Sequence, residues 1–292
     1  MTGLIGQVSI VMREFMSEYQ YYEFQSVDRR LSDKEMQELR AYSTRAHITP
    51  TSFANEYSFG DFKGNPDAWM EKYFDAFLYV ANWGTHEFKL GLPAKVLSVD
   101  TARLYCCGDA ASVRKKADKL VFTFLSEEEG GGEWVQGEGI LSSLLPLRAE
   151  LARGDLRSLY IGWLLSAQIG ELDQDMPEPP MPANLGTLSS ALSSLVEFLR
   201  IDPDLLAAAA QNSPRTKSAP ANRKAMAAWV ASLPAKEKND MLVRLMEDGD
   251  SHIGMELSSR FSRRVTARSP AAEGPRRRVA DLLAAAGIEA GE

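Results

Sequence analysis

Cysteine and histidine are scarce in this chain, with two and three copies among 292 residues. The cysteines, Cys106 and Cys107, are adjacent, so they provide no disulfide framework and could pair only through a strained backbone. The histidines His47, His86 and His252 lie too far apart in sequence for a two-histidine metal motif. The sequence therefore predicts no metal and no cofactor, and its cysteine usage favours a reducing cytoplasm.

Long apolar segments are also missing. No stretch reaches the roughly 18 apolar residues that a membrane-spanning helix requires. Residues 1–19 include a short apolar stretch, but no basic residue precedes it and no small-residue cleavage site follows it. We interpret residues 1–19 as a lead-in rather than a signal peptide, and we expect a cytoplasmic location and no membrane partner.

Local signatures of catalysis are absent from the sequence. There is no G-x-S-x-G motif that would mark a nucleophilic serine. The glycines at 130–132 are not followed by the G-K-[ST] of a phosphate-binding loop, and the acidic residues at 127–129 would repel phosphate. These absences favour a non-enzymatic protein and leave an enzyme as the alternative.

What the chain does contain is an ordinary globular composition with an uneven distribution of charge. Hydrophobic residues make up 45% and charged residues 25%, enough for a core without disulfides. The net charge is −7, but residues 260–278 hold seven arginines against one glutamate, which leaves +6 in this segment and −13 elsewhere. A basic tail on an acidic body indicates a solvated tail, a partner-docking segment or a nucleic-acid-binding arm.

The first half of the chain carries strand signals. Tyr21–Val27 is rich in aromatic residues, and Phe77–Asn82 and Lys119–Leu125 are apolar runs of strand length. His86–Leu92 alternates in polarity and follows a short turn, which predicts a hairpin with Phe77–Asn82. Glu133–Glu138 predicts a further return strand.

Helix signals interrupt these strands. Ser32 has Glu35 three residues after it, which is the spacing of a capping box. Asn65 followed by Pro66 is a typical helix start, with the asparagine as the cap and the proline in the first turn. The sequence therefore predicts helices that begin near residues 33 and 66.

From Ile140 onward, leucine and aromatic residues recur at helical spacing, and Asp173–Pro182 is a proline-rich acidic segment. The predicted fold class is α+β: an N-terminal mixed or antiparallel sheet with helices, an all-α C-terminal region and a flexible basic tail. The predicted units are the lead-in 1–19, an α+β domain 20–139, helices packing on that domain 140–172, a linker 173–186, a helical domain 187–264 and a basic tail with a short terminal helix 265–292.

The block Ile48–Thr85 has the highest concentration of polar and aromatic side chains that could form a site. Its aromatic residues fit core packing better than base stacking, because the block is nearly neutral rather than basic. Its polar members could instead line a recognition site. The candidate binding residues of the block are Asn55, Lys63, Asn82 and Trp83.

Three carboxylates of this block are the candidates for acid–base catalysis. Glu56, Asp61 and Asp75 could act as a general acid and base if two of them shared a cleft with different pKa values. No spacing in the sequence shows that any two face each other. The competing interpretation is a turn cap for Asp61 and ion pairs or surface positions for the other two.

The basic tail ends in a short amphipathic pattern. Arg276, Arg277 and Arg278 precede a helix-forming run in which Leu282 and Leu283 share a face with Val279. A helix this short is unstable alone. It either docks on the body of this protein, folds onto a partner in a groove, or remains a frayed terminus.

Two sets of segments resemble a family of uncharacterised bacterial proteins. The first set is YYEFQSVDRRLSDKEMQELR, ITPTSFANEYSFGDFKGNP and YFDAFLYVANWGT, and the second is WVASLPAKEKNDMLVRLMEDGD, LSSRFSRR and RRRVADLLAAAG. The resemblance covers most of the chain. It implies a bacterial cytoplasmic origin and an α+β head with a helical C-terminal portion, and it brings no activity, cofactor or catalytic residue.

Three functions follow from these patterns. The favoured one is a non-enzymatic bacterial interaction or accessory protein that binds a partner protein through its folded body and its helix-ended tail. The second is a nucleic-acid-associated accessory protein that uses the arginine segment, whose binding would weaken steeply with salt. The third is a hydrolase-like enzyme that uses the carboxylates of the 48–85 block. The sequence leaves the oligomeric state open.

Overall fold

The computed structural model describes residues 18–128, 135–215, 223–247, 252–266 and 276–288. Residues 1–17 of the predicted lead-in and residues 267–275 of the tail lie outside these residues. The strands are β1 Gln20–Gln25, β2 His47–Thr49, β3 Ser52–Tyr57, β4 Ala76–Ala81, β5 His86–Pro93, β6 Ala111–Lys116 and β7 Lys119–Ser126. The helices are α1 Asp33–Arg40, α2 Pro66–Lys72, α3 Val99–Arg103, α4 Ile140–Leu144, α5 Pro146–Ala152, α6 Arg157–Gln168, α7 Ser190–Phe198, α8 Pro203–Gln211, α9 Arg223–Ser232, α10 Ala235–Glu247, α11 Ile253–Thr266 and α12 Val279–Ala285.

The strands form one seven-stranded sheet in the order β2-β3-β1-β4-β5-β7-β6, and every neighbouring pair is antiparallel. Helices follow the sheet in the C-terminal half of the chain. The predicted α+β class is therefore confirmed, and the sheet is antiparallel rather than mixed.

The local signals that predicted α1 and α2 correspond to observed caps. Ser32 accepts a hydrogen bond from the backbone amide of Glu35, and the Glu35 carboxylate accepts one from the amide of Ser32. Asn65 accepts from the amide of Ala68 (3.0 Å), with Pro66 as the first residue of α2. These side chains satisfy amide donors that a helix N-terminus would otherwise leave unpaired.

The two faces of the sheet belong to two separate cores, because side chains alternate along each strand. On one face, Phe24 of β1 and Phe77 of β4 lie opposite each other, and α1 and α2 cover them. On the other face, Leu78 of β4 and Phe88 of β5 pair, and helices α4 to α8 and α12 pack over them. The second core is the larger and joins the sheet to the helical half.

One predicted element is wrong. Glu133–Glu138 was expected to be a strand, but residues 133–134 lie outside the described residues and residues 135–138 form no strand. Gly137 instead lies against the ring of Tyr21, where a Cβ would approach ring atoms to 2.2 Å, and its amide donates to the Tyr19 hydroxyl (3.2 Å). These contacts with Tyr21 of β1 and with Tyr19, just before β1, hold the segment over the face of the sheet.

The proline-rich segment 173–186 is packed against the body. Glu178 in its middle is buried, and the Tyr105 hydroxyl donates to the carbonyl of Pro180 (2.7 Å). The segment also pairs with the tail through an antiparallel bridge between Pro177 and Arg278. None of the helices in the described parts of the chain combines the length and apolarity needed to span a membrane.

Candidate functional site

Most aromatic residues of the 48–85 block pack in the protein core. The rings of Phe24 and Phe77 have centroids 4.5 Å apart, and Trp69 lies within 5.0 Å of Phe24 and 4.9 Å of Phe53. Trp69, Phe74 and Phe77 are almost completely buried. They form the smaller core, and their faces are closed to a ligand.

The polar binding candidates of this block differ in burial and in hydrogen bonding. Asn55 is buried on β3, and its amide nitrogen donates to the Ser43 hydroxyl (3.1 Å). Asn82 accepts a hydrogen bond from the amide of Tyr19 (3.0 Å), which ties β1 to the β4–β5 turn. Lys63 is exposed in the loop before α2, and Trp83 is 43% exposed in the turn before β5. Asn55 and Asn82 therefore have structural partners, while Lys63 and Trp83 are exposed at the surface.

The three candidate carboxylates are placed differently from one another. Asp75 is buried and accepts hydrogen bonds from the amides of Val27 (2.8 Å) and Asp28 (3.0 Å) and from the Lys119 ammonium (2.9 Å). These donors occupy both of its oxygens, so Asp75 acts as a structural anchor between β1, β4 and β7.

Glu56 and Asp61 lie on opposite sides of the sheet. Glu56 is directly opposite Tyr21, on the side of the larger core. Asp61 is exposed on the other side, where its charge helps to raise the pKa of Tyr79 to about 12, although burial is the main cause. The structure therefore does not bring these carboxylates into the one cleft that paired acid–base catalysis requires.

The described part of the basic tail is bound to the body of this protein. The Arg277 guanidinium donates to both oxygens of the buried Glu178 carboxylate, at 3.1 Å each, and to the carbonyl of Ala208 (3.2 Å). Tyr160 on α6 donates its hydroxyl to the same carboxylate. Burial, together with this carboxylate, raises the pKa of Tyr160 well above its usual range, so it stays a neutral donor.

The other tail residues divide into surface and core. Arg276 is exposed, and Arg278 forms an exposed ion pair with Asp175 (2.7 Å). Leu282 and Leu283 on α12 are buried in the larger core, where α12 packs on α6 and α8. The terminal helix predicted from the sequence thus docks on this protein in cis, and its apolar face is already covered.

Burial disfavours the reactive thiolate form of both cysteines. Burial raises the pKa of the Cys106 thiol to about 12 and also raises that of Cys107, so both thiols are held in their less nucleophilic form. No group of three or more histidine, cysteine or acidic side chains in the described residues could hold a metal ion.

An exposed apolar surface does occur on the helical region, on α9 and α10. In the described residues, five of the eleven exposed large apolar side chains lie on these two helices, so they are clustered rather than scattered. An open groove of about 430 Å³ is lined by Met226, Ala227, Val230, Ala231 and Lys238.

This surface continues along α10 beyond the groove. Leu242, Leu245 and Met246 follow Lys238 at spacings of four, seven and eight residues, which places them on the same side of the helix. They are 57%, 50% and 83% exposed. We call the groove residues together with these three side chains the α9–α10 face.

The reverse side of α9 and α10 is attached to α11. Trp229 is buried against Phe261, with ring centroids 5.5 Å apart, and Met241 is also buried. Arg260 of α11 forms an ion pair with Glu237 of α10 (2.5 Å). Neither buried residue of α9 and α10 belongs to the two main cores.

Helix α11 in turn holds this unit to the body. The Ser259 hydroxyl donates to the carbonyl of Val96 (2.5 Å), and His252 contacts the Asp28 carboxylate (2.6 Å). That carboxylate also accepts from Arg148 (2.5 Å), whose Nε donates to the carbonyl of Gly91 (2.7 Å). The α9–α10 face is therefore presented outward from a helix that is anchored by polar contacts.

The sequence predicted a helical domain over residues 187–264 but did not identify this face. The available signal was that MLVRLM in α10 places apolar residues around more of the helix than one buried face needs. No protein-family model, curated protein or solved structure matches this chain, so its function must be inferred from its own contacts, burial and charges.

Proposed function

We propose that this chain is a non-enzymatic interaction protein whose folded body binds a partner protein through the α9–α10 face. The observation that carries the proposal is the clustering of exposed apolar side chains on two adjacent helices. Soluble proteins rarely leave such a contiguous patch open unless another surface covers it. A groove between two helices fits an amphipathic helix of a partner.

The energetics of this face suit a reversible contact. Removing the exposed halves of Leu242 and Leu245 from water contributes roughly 1 kcal/mol each; Val230, which is 36% exposed, contributes less, and Met246 adds more. Association must offset the loss of translational and rotational freedom, which costs several kcal/mol. A partner that buries this face would thus bind with modest affinity unless other contacts add to it.

The tail has a supporting role in this proposal. Arg277 and Leu282 are engaged within the protein, so they hold the C-terminal segment on the body rather than reaching for a partner. The free thiols of Cys106 and Cys107 support a reducing, cytoplasmic compartment for this activity.

The test is a comparison of partner recovery by the full chain and by its Leu242→Asp variant. A partner captured from the source cells is identified, purified and recombined with the full chain, and its footprint is mapped by hydrogen exchange. We expect protection within residues 226–246 and loss of binding in Leu242→Asp.

The matched control is Leu104→Asp, because Leu104 is a similarly exposed leucine (49%) at the C-cap of α3. It should bind the partner as the unmodified chain does. A partner whose footprint lies wholly outside residues 226–246, and whose binding Leu242→Asp leaves unchanged, would overturn the proposal.

A further inference from the structure

We infer that the site holding the terminal helix α12 also takes this helix from a second copy of the chain, so that two copies exchange their C-terminal segments. The exchanged unit is residues 276–288, which we call the docking segment. Its site consists of other residues than the α9–α10 face, so the exchange does not depend on the proposed function. The contacts that hold the docking segment point to this exchange.

Backbone hydrogen bonds attach the start of the docking segment to the proline-rich segment 173–186. The amide of Glu178 donates to the carbonyl of Arg277 (2.8 Å). The amide of Val279 donates to the carbonyl of Met176 (3.1 Å). Backbone bonds of this kind are the ones by which an extended peptide from another chain adds to a protein. They form equally well with a segment of the same chain or of a second copy.

A buried ion pair makes the site selective for its occupant. The Arg277 guanidinium donates to both oxygens of the Glu178 carboxylate (3.1 Å each), and the Tyr160 hydroxyl donates to the same group. Two parallel bonds of this geometry fit the planar fork of an arginine. Without that cation the carboxylate would be a buried, uncompensated charge. Any segment that occupies the site must therefore bring an arginine to this position.

The apolar side of α12 completes the attachment. Val279, Leu282 and Leu283 are buried, and α12 packs on α6 and α8. A helix of seven residues is unstable on its own, so its folding depends on this site. The helices α6 and α8 and the segment that bonds Arg277 all precede residue 212, and residues 267–275 join the docking segment to α11. The docking segment therefore meets its site by packing alone, as a bound peptide does.

Reciprocal exchange between two copies keeps every one of these contacts. Each site remains filled, and each Glu178 carboxylate keeps a guanidinium. This is the arrangement of a domain-swapped dimer, which costs little because it uses contacts that already exist. The nine residues 267–275 keep the docking segment near its own site and so favour docking in cis at low concentration. The exchanged dimer should therefore become more abundant as the protein concentration rises.

The test is a mixture of two full-length variants, Arg277→Glu and Glu178→Arg. Each variant on its own buries two like charges at the site, in cis and in a dimer with itself, so its site rejects its own docking segment. In the mixture, each docking segment meets the opposite charge on the other variant. Native mass spectrometry distinguishes a dimer of both variants by its mass. We expect at least ten times more dimer in the mixture than in either variant alone.

Two controls isolate the effect of the buried pair. A single chain that carries both Arg277→Glu and Glu178→Arg restores the pair in cis and should form no more dimer than the unmodified chain. The matched mixture is Arg278→Glu with Asp175→Arg, which reverses the neighbouring pair. That pair is exposed and contributes little, so mixing these two variants should not increase the dimer.

Circular dichroism of the separate and mixed variants determines how the result is interpreted. A dimer of both variants, or variants that are unfolded alone and fold when mixed, would support the exchange. Two folded variants that stay monomeric when mixed would overturn it.

A second measurement decides the case in which the variants fold neither alone nor together. A fluorescent peptide of residues 276–288 is added to the unmodified full chain, beside the same peptide with Arg277→Ala. Binding that the alanine peptide loses by at least tenfold would support the exchange. A peptide that binds no more tightly than its alanine counterpart would overturn it.

Discussion

At the scale of single residues, His86 shows how one side chain joins elements distant in sequence. Its Nδ1 lies 2.9 Å from the carbonyl of Phe198, and its Nε2 lies 3.0 Å from the Arg200 guanidinium. The ring also stacks on Phe198, with centroids 4.9 Å apart. Because Arg200 can only donate, Nε2 must accept, so this geometry requires a neutral imidazole.

The neutral state of His86 predicts a pH-dependent stability. Burial lowers the pKa of His86, and the nearby charge of Arg200 lowers it further. The unfolded chain, with a histidine pKa of about 6.5, therefore binds a proton that the folded chain rejects. The contribution is present above about pH 6.5 and is lost as the pH falls below that value.

The measurement is the free energy of unfolding in urea at about pH 7.5 and about pH 5.5, either side of the reference pKa. The loss on acidification should be smaller in His86→Gln than in the unmodified chain. His47 is an exposed histidine on β2, so the His47→Gln variant should lose as much stability on acidification as the unmodified chain. An equal loss in all three proteins would show that His86 does not titrate in this way.

A second prediction at this scale concerns the clamp on the tail. Arg277→Ala leaves the buried Glu178 carboxylate without its guanidinium, and removing one member of a buried pair costs about 3–5 kcal/mol. Arg278→Ala breaks only an exposed pair, which is worth about 0–1 kcal/mol. The free energy of unfolding in urea should therefore fall more in Arg277→Ala than in Arg278→Ala, by the difference between these two costs. Similar losses in the two variants would show that the Arg277–Glu178 pair does not hold the tail on the body.

At the scale of elements, the helix starts were the most predictable features. The Ser32–Glu35 box and the Asn65–Pro66 start were visible in sequence because a cap uses residues only three positions apart. The predicted strand Glu133–Glu138 failed because its described residues contact Tyr19 and Tyr21, which lie more than a hundred positions away. Local sequence signals therefore located those elements whose stabilising contacts join residues that are close in sequence.

The capping box gives a prediction for one element. Ser32→Ala removes the side chain that accepts from the Glu35 amide, which should cost about 0.5–2 kcal/mol of stability. Ser32→Asp keeps a side-chain acceptor at this position and should therefore keep most of the stability that Ser32→Ala loses. The readout is thermal or urea unfolding, and an alanine variant as stable as the unmodified chain would exclude a role for the cap.

At the scale of the whole molecule, the helices differ in how they are held. The sheet and α6 share the larger core, where Leu159 and Trp163 are fully buried. Helices α9 and α10 bury Trp229 and Met241 outside both main cores and reach the body through α11. A unit with few core contacts opens at lower free energy than the core.

Native-state hydrogen exchange tests this difference. Amides of α9 and α10 should exchange through an opening of lower free energy than amides of β4, β5 and α6. Binding of a partner to the α9–α10 face should raise that opening free energy without changing the core. Equal protection across the chain would mean that these helices unfold only together with the core.

The sequence by itself determined the α+β class, the antiparallel hairpin of β4 and β5, the two capped helices and the amphipathic terminal helix. Each depends on periodicity or on side chains within a few positions of one another. Only the tertiary structure decided that Leu282 and Arg277 are bound in cis, that Glu56 and Asp61 face opposite ways, and that Leu242 stays exposed. These outcomes depend on which distant element lies opposite each side chain, and that partner is fixed only when the chain packs.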